Sequence, residues 1–385
     1  MDEQEVEAIR RVIHSGWITM GPETEAFEGQ FAQAVGSRFA CAVSSGTAAL
    51  HLALLALGLQ PGDEVITVSS SFIATANSIR YCGAKPVFVD IELETFNINP
   101  DLMEQVISPR TRASLCVHQM GMPCDLEAIL KIARKHRLGV VEDAACALGS
   151  RILFNQEWQA VGRPQGDVAC FSFHPRKAIS IGDGGMLTTN DPEVDRKIRL
   201  LRNQGMDRSA YDRFQSKDLM FEQYDVLGYN YRMTDIQAAI GRVQLTRLSE
   251  MVRQRRRWAG RYTELLQQVP GIAPPHEPSW AQSNWQSYCV KLDPALDQRT
   301  VMRQLRDRGI ATQRGIMCAH REPAYPQGTW TCGKNEKCEC APYACERLRN
   351  SEWAQDHAIL LPLYPQMTEE EQDTVVKALW EVVSA

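Results

Sequence analysis

Lys177 stands where imine chemistry would be placed, and the residues around it say why. It falls in the stretch DVACFSFHPRKAISIGDGGM, residues 167–186. The apolar run 168–173 is closed by His174-Pro175, so it is expected as a buried strand that stops at the proline. Lys177 follows, flanked by Ala178 and Ile179, with Gly182, Gly184 and Gly185 downstream where the backbone must turn tightly. An amine held beside apolar neighbours at a strand end can have its pKa depressed, which a lysine forming Schiff bases with carbonyl compounds needs. A solvated surface lysine would be written with the same letters, since lysines are rarely buried. Its company has to decide.

That company includes an acid and a phosphate-like cradle. Glu142-Asp143-Ala144-Ala145 puts the carboxylate of Asp143 at the end of another apolar run, where a helix cap is an equal reading. Ser44-Ser45-Gly46-Thr47-Ala48-Ala49 opens a helix with small residues and unbonded backbone N–H groups, which suits either a phosphate or an ordinary N-cap. His51, inside that helix among apolar neighbours, reads as a core residue rather than a ligand.

These residues need a scaffold, and the chain supplies alternating elements. Helices are expected at 3–14 and 23–35, separated by a turn-rich loop carrying Trp17. Strand-like apolar runs recur at 39–44, 64–68, 86–91, 113–118, 139–142, 168–173 and 185–189. Helical patterns lie between several of them, at 47–57, 73–82, 101–107 and 125–137. Apolar strands joined by helical crossovers predict an α/β fold with a mostly parallel sheet covered on both faces. Ligands in such sheets bind at the carboxyl ends of the strands, where the unusual residues lie. Further on, GYNYRMTD (228–235) reads as a loop ending in a cap at Thr234 or Asp235, before the helix IQAAIGRVQL. A long polar helix, 245–269, leads into a second domain near residue 250. Beyond a Pro-rich loop, a strand at 287–292, a helix at 298–308, GIATQRGI at 309–316 and a last helix at 369–383 suggest a small α/β unit.

Length and composition agree with a two-domain globular protein. At 385 residues, 44% hydrophobic and 23% charged, the chain can bury a large core. A net charge of -5 gives no reason to expect nucleic acid or an anionic membrane as partner, and RQRRR at 253–257 reads as the solvated face of a helix. The acidic, amphipathic start MDEQEVEAIRRVI is no signal peptide, and no apolar run approaches the roughly 18 residues of a spanning helix. A cytoplasmic location is therefore expected.

Of twelve cysteines, those at 41, 82, 116, 124, 146, 170, 289 and 318 are scattered and are expected to stay reduced. Cys332, Cys338, Cys340 and Cys345 cluster as C-x5-C-x-C-x4-C, within a Cys-rich insert at about 330–346. Four thiolates can close a zinc site, but the usual paired spacing is not met. Zinc, disulfides and an unligated loop all stay open, and no metal site is assigned. The eight histidines contain no H-E-x-x-H, and there is no P-loop.

Taken together the motifs resemble the sugar aminotransferases of the DegT/StrS family. The resemblance rests on GPETEAFEGQFA, SSGTAALHLAL, PGDEVI, SFIATANSI, GAKPVFVDIE, EDAACALGS, FSFHPRK, GDGGM, YNYRMTDIQAAIG and LPLYPQMTEEE, in order along nearly the whole chain. It implies a fold-type I pyridoxal 5'-phosphate (PLP) transferase, with residues 1–250 as the large cofactor-binding domain and 251–385 as a smaller C-terminal α/β domain. Lys177 matches the lysine that holds PLP covalently and then shuttles a proton as a base. Asp143 matches the acid that pairs with the pyridine nitrogen. Phe72 matches an aromatic stacked on the ring; without the resemblance it would read as plain core packing. Gly46, Thr47, Ala48 and Ser172 match the phosphate cradle, and Asn230 an asparagine that reaches the phosphate from the neighbouring subunit, which implies a homodimer with a shared active site.

The resemblance further implies that L-glutamate leaves its amine on the cofactor, as pyridoxamine phosphate (PMP), and that a keto-sugar, most of all a nucleotide-linked one, collects it. A keto-cyclitol is an alternative acceptor, and a non-catalytic PLP-binding sensor is an alternative of another class. Two departures stand out. Cys146 occupies a place where many relatives carry Gln or His, and MCAHREPAY around His320 resembles the loop that relatives use near the sugar.

Overall fold

A computed structural model describes residues 1–208, 210–218, 221–333, 340 and 343–384, with only the backbone of 210, 212 and 215. The first half alternates as expected. Helices α1 (Glu3–Ser15) and α2 (Pro22–Val35) precede β1 (Phe39–Val43), α3 (Gly46–Ala56), β2 (Glu64–Val68), α4 (Ala74–Tyr81), β3 (Lys85–Val89) and β4 (Thr111–Val117). Then come α5 (Leu126–His136), β5 (Gly139–Asp143), β6 (Arg151–Phe154), β7 (Glu157–Ala160), β8 (Val168–Ser172) and β9 (Gly185–Thr189). A single seven-stranded sheet forms in the order β1-β9-β8-β5-β4-β2-β3. Pairing is parallel from β8 through β5, β4 and β2 to β3, and only β9 runs antiparallel to both its neighbours. Its strands are almost wholly buried, so the apolar runs that announced them are continuous rather than alternating.

The second half is built from α6 (Pro192–Arg202), α7 (Ala210–Gln215), α8 (Asp235–Thr246), α9 (Leu248–Leu266), β10 (Ile272–Ala273), β11 (Ala281–Gln282) and β12 (Tyr288–Leu292). It ends with α10 (Gln298–Asp307), β13 (Gln313–Arg314), α11 (Arg349–His357), β14 (Ala358–Leu361) and α12 (Glu369–Val383). A four-stranded sheet, β10-β12-β14-β13, carries its own core around Tyr262, Tyr288, Leu305 and Leu379. A third sheet, β11-β6-β7, ties residues 281–282 to the 151–160 hairpin.

Local sequence explains most boundaries. Capping boxes open α1 with Asp2 and Glu5, α8 with Thr234 and Gln237, and α12 with Thr368 and Glu371. Asp235, the other expected cap of α8, instead turns back to α2. Its carboxylate accepts from the Gly21, Glu23 and Thr24 N–H groups at 2.8, 3.1 and 3.0 Å, supplying the cap that Gly21 lacks.

The helix expected over 101–107 is absent. Two 3₁₀ turns, Pro100–Leu102 and Glu104–Val106, stand there instead. Pro100 and Pro109 leave too few residues between them to repay the nucleation of an α-helix.

Candidate active site

Four strand ends of the main sheet converge on one edge, and each delivers a residue singled out by the sequence. At the end of β1, Ser45 caps α3 by accepting from the Ala48 N–H at 3.1 Å. Gly46 and Thr47 then present the first N–H groups of the helix, which have no partner within it, at its positive end. Ser172, the last residue of β8, lies against this turn. A Cβ on Gly46 would meet the Ser172 Cβ at 2.8 Å, and one on Gly185 would meet the Ser45 carbonyl oxygen at 2.4 Å. Both glycines are therefore required for helix start and strand ends to close into one cradle. The structure brings Gly46, Thr47, Ala48 and Ser172 together.

Asp143 ends β5 with only 5% of its surface exposed. Its Oδ2 accepts from the Thr75 hydroxyl at 2.8 Å and its Oδ1 from the Ala145 N–H at 3.2 Å. Thr75 in turn meets the Ser71 hydroxyl at 2.8 Å. Burial lifts the Asp143 carboxyl above the usual aspartate range; the Thr75 and Ala145 hydrogen bonds and the Lys177 charge pull the other way. Beside it, His118 is fully buried: its Nδ1 accepts from the Cys124 N–H at 3.0 Å, which leaves Nε2 to donate to Glu142 at 3.2 Å.

Lys177 lies in the loop after β8, half-buried, its N–H bonded to the His174 carbonyl at 2.8 Å. Its Nζ is 3.0 Å from the Cys146 Sγ. The departure at position 146 therefore sits directly on the amine.

Two residues that sequence reasoning missed brace this pair. Asn284 donates from Nδ2 to the Cys146 and Leu148 carbonyls at 2.9 and 2.8 Å, and Gln286 donates from Nε2 to the Arg176 carbonyl. Both come from the SNWQ segment just before β12, where polar amides adjoining an apolar strand were the available signal.

Phe72 follows β2 and is 64% exposed, so it is not a core residue. The loop that carries it is bonded through Ser71 and Thr75 to Asp143. Asn230 is exposed, on a segment that runs past the end of β1, where the Ser44 N–H donates to the Tyr231 carbonyl at 2.8 Å. His320 is turned inward, between the Ser69 hydroxyl at 2.6 Å and Glu352 at 2.9 Å. It holds the end of β2 in place rather than facing a ligand.

A family model described as the DegT/DnrJ/EryC1/StrS aminotransferase family matches residues 1–380. The chain belongs to this family. It is similar to the spore coat polysaccharide biosynthesis protein SpsC of Bacillus subtilis, 37% identical over 99% of this chain and 95% of that protein. It is also similar to the crystal structure of the aminotransferase TlmJ from Streptoalloteichus hindustanus, 33% identical with a TM-score of 0.86, over 100% of this chain and 97% of that one. DesV of S. venezuelae, solved in complex with a ketimine intermediate, is 32% identical with a TM-score of 0.86, over 98% and 94% of the two chains. The protein is thus a member of the PLP-dependent sugar aminotransferases, with their fold.

The residues present fit PLP. Its phosphate asks for N–H donors at a helix start, its ring nitrogen for a buried acid, its aldehyde for an amine; the cradle, Asp143 and Lys177 offer these at one sheet edge.

Three consequences can be measured. Gly46→Ala forces a Cβ into Ser172 and is expected to destabilise the protein by about 1–3 kcal/mol and to weaken PLP binding, read by denaturant titration and cofactor occupancy. Cys146→Ala is expected to keep bound PLP while lowering turnover less than about tenfold, the scale of one lost contact; steady-state kinetics reads this, and a loss as deep as that of a Lys177 variant would contradict it.

The third concerns pH. The folded pKa of Asp143 lies above its unfolded value, so its stabilising contribution is complete below the ordinary carboxylate range and is lost as pH rises through the raised value. The melting temperature of the cofactor-free protein minus that of its Asp143→Asn variant should fall as pH rises from about 4, the ordinary aspartate value, through the raised value. A difference that grows over this window contradicts the raised value.

Proposed function

We propose that the protein is an aminotransferase that moves the amino group of L-glutamate, through PLP held covalently on Lys177, to a keto-sugar, most of all a nucleotide-linked one. The observation that carries this reading is the meeting of the Lys177 amine, the buried Asp143 and the Gly46–Ser172 cradle at one sheet edge. When bound, the cofactor supplies an electron sink for the carbon that loses its proton. The protein's own residues do the rest. Lys177 Nζ, released by the incoming amine, takes that proton and returns it, so one residue is both tether and base. Asp143 keeps a proton on the ring nitrogen, because a buried carboxylate with few donors favours a cationic partner. The helix start at Gly46, Thr47 and Ala48, with Ser172, binds the phosphate and orients the ring, against which Phe72 is free to stack.

A homodimer is part of this reading. Phe221, Tyr224 and Leu227, 77%, 62% and 88% exposed, are large apolar side chains interleaved with polar ones in the segment before Asn230. Such exposure on a single chain suits a subunit interface, and it would present Asn230 to the phosphate of the second copy. The division near residue 250 belongs to the same reading, supported by the separate sheet and core of the C-terminal part. Among the described residues no helix is long and apolar enough to cross a membrane.

The test is turnover. Purified protein with PLP, L-glutamate and a panel of nucleotide-linked keto-sugars should release 2-oxoglutarate beyond one equivalent per active site only when an acceptor is present, with the acceptor's mass changed by the exchange of carbonyl for amine. No cycling across keto-sugars and keto-cyclitols, from protein that binds PLP, would favour a sensor.

A further inference from the structure

The Cys-rich insert gathers more closely than its spacing announces. The Sγ atoms of Cys332, Cys340 and Cys345 all lie within 4.8 Å of one another, and those of Cys332 and Cys340 are 4.0 Å apart. Four sulfurs around one zinc at the usual bond length are spaced by about 3.8 Å, so the group already has nearly the size of a thiolate zinc site. Cys338 lies outside the described residues, and the fourth position of the tetrahedron is left unassigned.

The surroundings are those of a structural site. Cys332 and Cys345 are 4% and 2% exposed, backed by Phe88, Tyr325, Trp330 and Leu348. Three sulfurs gathered so closely, two of them buried and one half-buried, make a soft donor set of the kind zinc takes. A bound divalent ion deprotonates its thiol ligands outright.

The segment also has something to hold. Thr331, next to Cys332, pairs with the outermost strand β3: its carbonyl accepts from the Phe88 N–H at 2.7 Å, and its N–H donates to the Pro86 carbonyl at 3.1 Å. An open sheet edge is thereby covered. At the other end, the Cys345 N–H donates to Glu352 Oε1 at 2.5 Å, the atom that meets His320, and His320 holds Ser69 three residues before Phe72.

We propose that Cys332, Cys340 and Cys345 bind one zinc ion as thiolates, in a structural site that ties Thr331–Cys332 and the Cys345–Leu348 turn together at the edge of the main sheet and steadies the loop leading to Phe72. Binding releases the thiol protons to solvent and changes no oxidation state. Catalysis does not pass through the metal: three thiolates on an apolar backing supply rigidity.

The experiment uses the PLP-loaded protein, purified under reducing conditions. Elemental analysis should find about one zinc per chain. Protein stripped of metal by a chelator and given Co²⁺ should develop the red d–d bands of a tetrahedral thiolate site, which lie clear of the cofactor's absorbance. Stripping should lower the melting temperature by several degrees, and zinc should restore it. Cys340→Ser, chosen because Cys340 is half-buried, should lose zinc and the cobalt bands while its circular dichroism and PLP content show it folded. Should that variant fail to fold, the cobalt spectrum of the stripped natural chain decides alone. Absence of stoichiometric zinc together with no cobalt bands, zinc retained by folded Cys340→Ser, or a disulfide among these cysteines in the isolated protein would each overturn the proposal.

Discussion

Lys177→Ala is expected to abolish covalent attachment of PLP and to lower turnover by about 10⁴-fold or more, because one substitution removes both the tether and the base. The fold should survive. Lys177 lies on a half-buried loop, and its Nζ reaches only as far as the Cys146 Sγ among the described residues' hydrogen bonds, so circular dichroism and melting should stay close to those of the unaltered chain. Borohydride reduction followed by peptide mass spectrometry reads the attachment directly. A reducible link that persists at this site without Lys177 would sink the assignment, and so would turnover within tenfold of normal. Added small amines provide a further check, since a lost proton shuttle can be replaced in part from solution, whereas a collapsed site cannot.

Asp143→Asn should retain most of its PLP and lose about 10²–10³-fold in turnover. Binding and chemistry separate here because they rest on different residues. The phosphate cradle of Gly46, Thr47, Ala48 and Ser172 lies on other strand ends and is untouched, while the neutral amide no longer holds a proton on the ring nitrogen. The Thr75 hydroxyl can still donate to the new side chain's oxygen. Occupancy by absorbance and kcat by 2-oxoglutarate release are measured on the same preparation. Near-normal kcat would remove Asp143 from the mechanism, and total loss of PLP would make it a binding residue instead.

The seven strands of the main sheet were legible because each is buried on both faces and writes itself as an unbroken apolar run. The hairpin β6–β7 carries no such run: Glu157–Ala160 is partly exposed throughout, and its turn at Asn155 and Gln156, both with positive φ, lacks the usual glycine. Strand β14, AILL, is only four residues long, too short an apolar run to tell a strand from the end of the helix before it. Within the site, lysine, acid and cradle could be named because they sit at strand ends that the pattern located. Thr75, Asn284, Gln286 and Glu352 could not, since a hydrogen-bond partner more than sixty residues away, or thirty in the case of Glu352 and His320, leaves no local trace. The cysteine insert illustrates the same limit. Its linear spacing left zinc, disulfides and an unligated loop open, and only the fold brings three of the sulfurs together beside Trp330 and Leu348.

The measurement that bears most directly on the central claim is the visible spectrum of the PLP-loaded protein before and after L-glutamate, with no acceptor present. The account predicts the absorbance band of lysine-linked cofactor at the outset and its replacement by the band of PMP as 2-oxoglutarate is released. No lysine-linked band at all would contradict the role of Lys177, and a band that no amino donor can convert would contradict aminotransfer.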